Sequence, residues 1–123
     1  MEALTERKRH KDILDEYTLI LIQKAEHYAK THLKRASSKP GKGQFSSLVE
    51  VGQQATCIEQ LELFIRYKEF KQGTSKQWTG LAKPLVDSVE EVRVLVAPAL
   101  ELALVQRFLG YLMWAANVYG GVR

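Results

Sequence analysis

ALELALVQRFLGYLMWAANV, residues 99–118, carries charge only at Glu101 and Arg107 and is apolar on nearly every face of a helix. A helix without a polar face must be wrapped by other elements, so this one is expected at the centre of a bundle. A membrane would be the other apolar surrounding. The two charges interrupt the run, and the charge-free remainder from Phe108 to Val122 falls short of the roughly 18–20 apolar residues that a span needs. Gly120-Gly121 provides a stop. Pro98 should end or kink the preceding helix near Val96, because proline lacks an N–H and crowds the carbonyl four residues back.

Upstream, apolar residues recur at helical spacing and no period-2 run bounded by hairpin turns is found. Leu14, Tyr17, Leu21, Ala25 and Tyr28 form one stripe, widened by Ile13 and Ile20. Thr5 is placed to cap that helix, which should end near Arg35. Ser37 to Gly43 reads as a loop, since Pro40 disfavours the helical region at Lys39 and two glycines follow. Ser47-Leu48-Val49-Glu50 has capping-box spacing and is expected to open a second helix with the stripe Leu48, Val51, Ala55, Ile58, Leu61 and Ile65, and Phe64 alongside. Gly73 should close it. Thr74 to Lys83 suits a short turn around Trp78. A third helix starts either with Pro84 in its first turn or at Ser88-Val89-Glu90-Glu91. The expected fold is therefore all-α: a compact bundle of four to five helices, one domain over residues 1–123, with a flexible basic loop near 36–45.

Composition agrees with a globular chain, at 46% hydrophobic and 26% charged residues. The start runs from Met1-Glu2-Ala3-Leu4 straight into charges, so no secretion signal is expected. A single cysteine, Cys57, leaves no intrachain disulfide and fits a reducing, cytoplasmic compartment.

The charge is uneven. Residues 1–42 hold ten Lys or Arg against six acids, whereas residues 43–123 hold eight against eight, so the net +4 lies in the first third. One cluster is Arg7, Lys8, Arg9 and Lys11; another is Lys30, Lys34, Arg35, Lys39 and Lys42; a smaller group is Arg66, Lys68 and Lys71. A solvated helix face is the plain account of such runs. Their placement at a helix end and on a loop also suits phosphate contact, where flexible lysines follow a backbone without fixed geometry. If the first two helices pack antiparallel, the third group falls near Arg7–Lys11 and the cations form one long stripe.

Catalytic chemistry finds little support. Cys57 sits inside a core pattern and reads as a small buried hydrophobe. His27 and His32 are about 140° apart around a helix and read, with His10, as surface residues rather than metal ligands. Glu90 and Glu91 suit a helix start. No phosphate-binding glycine loop, metal set or cofactor motif is present, and an enzyme is not expected. Tyr111, Trp114 and Tyr119 are expected to pack in the core, with stacking on unpaired bases as the alternative.

Arg107-Phe108-Leu109-Gly110-Tyr111-Leu112-Met113-Trp114-Ala115-Ala116-Asn117-Val118-Tyr119-Gly120-Gly121 resembles the terminal helix of the small subunits of type III CRISPR effector complexes, which finish in an aromatic residue and paired glycines. The run Ser47 to Tyr67 resembles their central helix, and the long basic first helix suits a type I-D complex. The resemblance spans about half the chain and includes no diagnostic motif. It implies a non-enzymatic subunit that stacks with copies of itself and with other subunits around a guide RNA, and that holds a target or displaced single strand by its phosphates. The candidate contacts, Arg7, Lys8, Arg9, Lys11, Lys30, Lys34, Arg35, Lys39, Lys42, Arg66, Lys68 and Lys71, come from charge placement alone. A second class of function is a helical adaptor acting through an exposed apolar strip of the last helix, with Leu104 on that strip.

Overall fold

The computed structural model describes residues 2–33, 42–71, 78 and 80–119, with the side chains of 2–8 and 42–44 outside that description. Among the described residues there are six α-helices and no strand: α1 Glu2–Asp15, α2 Thr18–Tyr28, α3 Lys42–Gln54, α4 Ile58–Phe70, α5 Ala82–Arg93 and α6 Glu101–Tyr119. A π turn, Ala29–Leu33, extends α2, and a 3-10 turn, Pro98–Leu100, leads into α6. The all-α bundle expected from periodicity is what the chain forms.

α6 is the hub, packed against α2, α3 and α5. Its Leu104, Val105, Phe108 and Leu112 are fully buried, each worth about 1.5–3 kcal/mol of transfer free energy. Polar and side-chain contacts fix the directions. Asp15 meets Arg107 and Glu26 meets Tyr119, so α2 and α6 run parallel. Gly52 lies against Leu109 and Ser46 against Met113, so α3 runs antiparallel to α6. α4 and α5 are antiparallel, joined by Glu59 to Arg93 and by Glu69 to Ala82. α5 is amphipathic by spacing: Ala82, Leu85, Val86, Val89 and Val92 are buried, while Lys83, Asp87, Glu90 and Glu91 face water.

Two glycines matter for geometry. Gly80 has φ of +75° in the turn before α5, a conformation that a Cβ resists. Gly52 lets α3 approach α6, since a Cβ there would stand 2.8 Å from Leu109 Cδ1. The Gly52 carbonyl accepts from Gln106 Nε2 at 2.9 Å across the same contact.

Several local expectations are corrected. The first stripe is one helix in pattern but two in space. At Glu16 and Tyr17 the ladder tightens, with Tyr17 N–H donating to Leu14 at 3.1 Å, while Thr18 Oγ1 donates to the Asp15 carbonyl at 2.9 Å. Tyr17 is pinned by its own hydroxyl, which donates to the Leu95 carbonyl at 3.0 Å. The second stripe also breaks. Cys57 is extended, and Gln60 Oε1 accepts from the Thr56 N–H at 3.1 Å.

Neither Thr5 nor Ser47 is a cap, because α1 begins at Glu2 and α3 at Lys42. The expected loop at 36–45 is therefore helical over 42–45, and its remainder lies outside the described residues. The expected stop at Gly73 also lies outside them, with α4 ending at Phe70. Pro84 falls in the first turn of α5, and Ser88 is interior, its hydroxyl donating to the Pro84 carbonyl at 3.0 Å. Pro98 does not end a helix; α5 stops at Arg93 and Pro98 opens the 3-10 turn. Among the described residues no helix is long and apolar enough to cross a membrane.

Candidate nucleic-acid interface

One end of the bundle gathers the end of α2, the start of α3, the end of α4, the turn before α5 and the end of α6. Tyr28 Oη donates to the Leu81 carbonyl at 2.8 Å, and the Phe45 and Trp78 rings lie 5.7 Å apart. Lys68 extends over both Phe64 and Trp78, its Nζ 5.1 and 5.7 Å from the ring centroids. Burial lowers the Lys68 ammonium below its usual range. On the same end Lys30 Nζ stands 4.7 Å from the Tyr119 ring centroid, and Lys71 Nζ 5.5 Å from that of Tyr67. A lysine over an aromatic face keeps its charge while the ring fixes its position.

These lysines differ in what they leave available. Lys30, Arg66 and Lys71 are exposed and form no ion pair within the described residues. Lys68 is half-buried and engaged. Lys42 is the first residue of α3, which puts its backbone at this end; its side chain, and all of Lys34, Arg35 and Lys39, lie outside the described residues.

The N-terminal cluster is placed apart. Lys11 Nζ bonds Asp15 Oδ2 at 2.8 Å, and Arg107 Nη1 bonds Asp15 Oδ1 at 2.6 Å. Both cations hold the Asp15 carboxyl below the usual carboxylate range, with Lys11 the larger cause. Arg9 is exposed and unpaired among the described residues, while the side chains of Arg7 and Lys8 are not described. Among the described residues the cations do not line up in the single stripe expected from antiparallel first and second helices; the side chains of Arg7, Lys8 and Lys42 and all of Lys34, Arg35 and Lys39 lie outside them. α6 stands beside both α2 and α3, and α4 packs against α5 and α3, so Arg66, Lys68 and Lys71 end beside the start of α3 and not beside Lys11.

Acids concentrate toward the far end. Arg93 donates to Glu59 and Glu90 through Nη1 and to Glu101 through Nη2, each at 3.1 Å. The Glu101 bond is the main cause of a guanidinium held even more firmly protonated than usual. Glu62, on the buried side of α4 next to this cluster, is 8% exposed and its Oε2 has no partner. Burial, then the Glu90 charge, raises its carboxyl above the usual range. Arg93, Lys11 and Arg107 are thus spent within the fold, while Lys30, Arg66 and Lys71 of the α4 end form no ion pair among the described residues.

Other candidates resolve as follows. Cys57 is exposed at the start of α4, not buried as its place in the stripe suggested. His27 is exposed; His32 packs on the Tyr28 ring at 5.0 Å, and burial lowers its imidazole. Among the described residues no group of three His, Cys, Asp or Glu could hold a metal. Of the last aromatics, Tyr119 donates to Glu26 Oε2 at 2.6 Å and Tyr111 meets Trp114 edge-on, but Trp114 is 62% exposed and not a core residue. Leu104 is fully buried, so the exposed apolar strip of α6 is Trp114 and Val118 instead.

Two residues escaped sequence analysis. Tyr67 and Phe70 extend outward from α4 between Arg66 and Lys71, Phe70 being 87% exposed. Their signal was present: Leu63, Tyr67 and Phe70 recur at four- and three-residue steps on the side opposite Ile58, Leu61 and Ile65. No family model, no curated protein and no solved structure matches this chain.

Proposed function

We propose that this chain is a non-catalytic helical subunit that holds a nucleic-acid strand by its phosphate backbone, as part of a CRISPR RNA-guided effector complex. The supporting observation is the set of exposed cations at the α4 end, Lys30, Arg66 and Lys71, which form no ion pair among the described residues. Cations left unpaired on a rigid surface attract polyanions, and release of condensed counterions drives the contact. The assignment to a CRISPR complex rests on the resemblance of the last helix and on the size and helix order of the chain. Copies and neighbouring subunits would add affinity by repetition.

The test is fluorescence anisotropy with a labelled single strand over a range of salt concentrations. Binding should weaken steeply with salt and depend little on sequence. Replacing Lys30, Arg66 and Lys71 together by Gln should flatten the salt slope by about 2 units, at ~0.7 per phosphate contact on single strands. An unchanged slope rejects the assignment.

A second function, a protein adaptor, is favoured by a different observation. Trp114 and Val118 are exposed beside Ile22 and Tyr111, where α2 and α6 leave a cleft of about 240 Å³. In that case Trp114→Glu abolishes assembly with a protein partner while the lysine substitutions leave it intact.

A further inference from the structure

We infer that the outer face of α4 is a stacking platform for unpaired nucleobases, built from Tyr67 and Phe70 and flanked by Arg66 and Lys71; the inference rests on the nucleic-acid function proposed above and names the form of ligand. Large aromatic side chains on a solvated helix face usually mark a surface that something covers. Tyr67 and Phe70 are 47% and 87% exposed, three residues apart on one side of α4. The platform is bracketed by charge: Arg66 precedes Tyr67, and Lys71 follows Phe70.

Charge decides the occupant. Neither flanking cation is in an ion pair among the described residues; Glu59 in the first turn of α4 is bound to Arg93, and Glu62, whose charge Arg66 feels from one turn away, lies on the buried side of the helix. An apolar protein surface covering Phe70 would strip water from Arg66 and Lys71 without neutralising them, which is costly. A nucleic-acid strand brings a ring for each aromatic and a phosphate for each cation. Residues 66 and 71 are separated by about 7.5 Å of helix rise. Two stacked nucleotides at ~3.4 Å each fit that length. Lys71 already stands over Tyr67, so a base on the open side of that ring would complete a cation–ring–base stack.

The adjoining groove favours a planar heterocycle over an aliphatic side chain. It holds about 500 Å³ between α3 and α4, lined by Val51, Gln54, Gln60, Leu63, Phe64 and Tyr67. Its floor is apolar, while two amides supply polar edges. Gln60 is oriented by the Thr56 N–H, which can donate only to the amide oxygen. The Gln60 nitrogen is thereby left to donate toward a ring nitrogen or carbonyl of a base. A duplex hides both the ring faces and those edges, so this platform selects single strands.

The experiment compares three labelled ligands of equal length: an oligothymidine strand, an abasic strand of the same charge, and a duplex. Wild type should bind the thymidine strand about tenfold more tightly than the abasic one. The double variant Tyr67→Ala and Phe70→Ala should lose that preference while keeping abasic affinity and the salt slope, because it removes rings and no charge. Circular dichroism checks that it stays folded, as substitutions at exposed positions should. Equal affinity of wild type for thymidine and abasic strands overturns the platform and leaves backbone binding standing. No binding to any strand at low salt overturns both. Loss of self-association in the double variant with unchanged strand binding assigns the face to protein contact and overturns the inference.

Discussion

Tyr28 and Leu81 are joined by a buried hydrogen bond of 2.8 Å, the phenol of α2 donating to a carbonyl in the turn before α5. Burial, reinforced by Glu69, raises that phenol above the usual tyrosine range and favours the protonated, donating form. It ties two segments that lie 53 positions apart in the chain and frame the α4 end of the bundle.

Tyr28→Phe keeps the ring and deletes the donor. The Leu81 carbonyl then loses its buried partner, and stability should fall by about 1–2 kcal/mol in urea unfolding. Strand binding should weaken only as far as the turn near Trp78 loosens.

Glu62 should respond in the opposite direction. Its carboxyl is raised, so the folded state favours the protonated form. Any contribution it makes is intact below the usual glutamate range and declines as pH rises through the elevated value. Glu62→Gln removes a buried charge next to Glu90 and should stabilise the protein by about 1 kcal/mol at neutral pH. Thermal melts across the acid range should show that gain vanishing at low pH; a gain that does not change with pH would refute the assignment.

Arg93→Met should be more damaging than its partial exposure suggests. One guanidinium satisfies Glu59, Glu90 and Glu101, from α4, α5 and α6. Its loss leaves three carboxylates facing one another, at a cost of about 1–2 kcal/mol that salt partly relieves. Arg93→Lys should recover only part of this, because an ammonium lacks the planar fork. Denaturation at low and high salt measures both effects.

The segment from Lys34 to Lys42 is tested through binding. Replacing Lys34, Arg35, Lys39 and Lys42 by Ala should flatten the salt slope by about 3 units for single strands. If the slope holds, those four cations touch no phosphate.

The central helix was legible because nothing about α6 depends on context: a segment with no polar side can only be enclosed. The amphipathic stripes were equally plain, and Leu14, Leu21, Ala25, Leu61 and Ile65 are all buried as their spacing requires. The breaks were harder to see. That at Tyr17 depends on a carbonyl of Leu95, far along the chain. The break before α4 did leave a trace, since Thr56 and Glu59 have capping-box spacing, but the apolar stripe continues through it and masked the stop. The grouping of Arg66 and Lys71 with the start of α3 was not legible at all. It follows from α6 standing beside α2 and α3, a choice made by packing.

The order of synthesis meets an obstacle in this architecture. α2 and α3 precede α6 by tens of residues, yet each buries apolar side chains against that later helix. Until residues 101–119 are present, the apolar stripes of α2 and α3 lack the helix they pack on. Their contacts with α6 therefore form only once that helix is present, and a fragment that stops before residue 101 should expose those stripes.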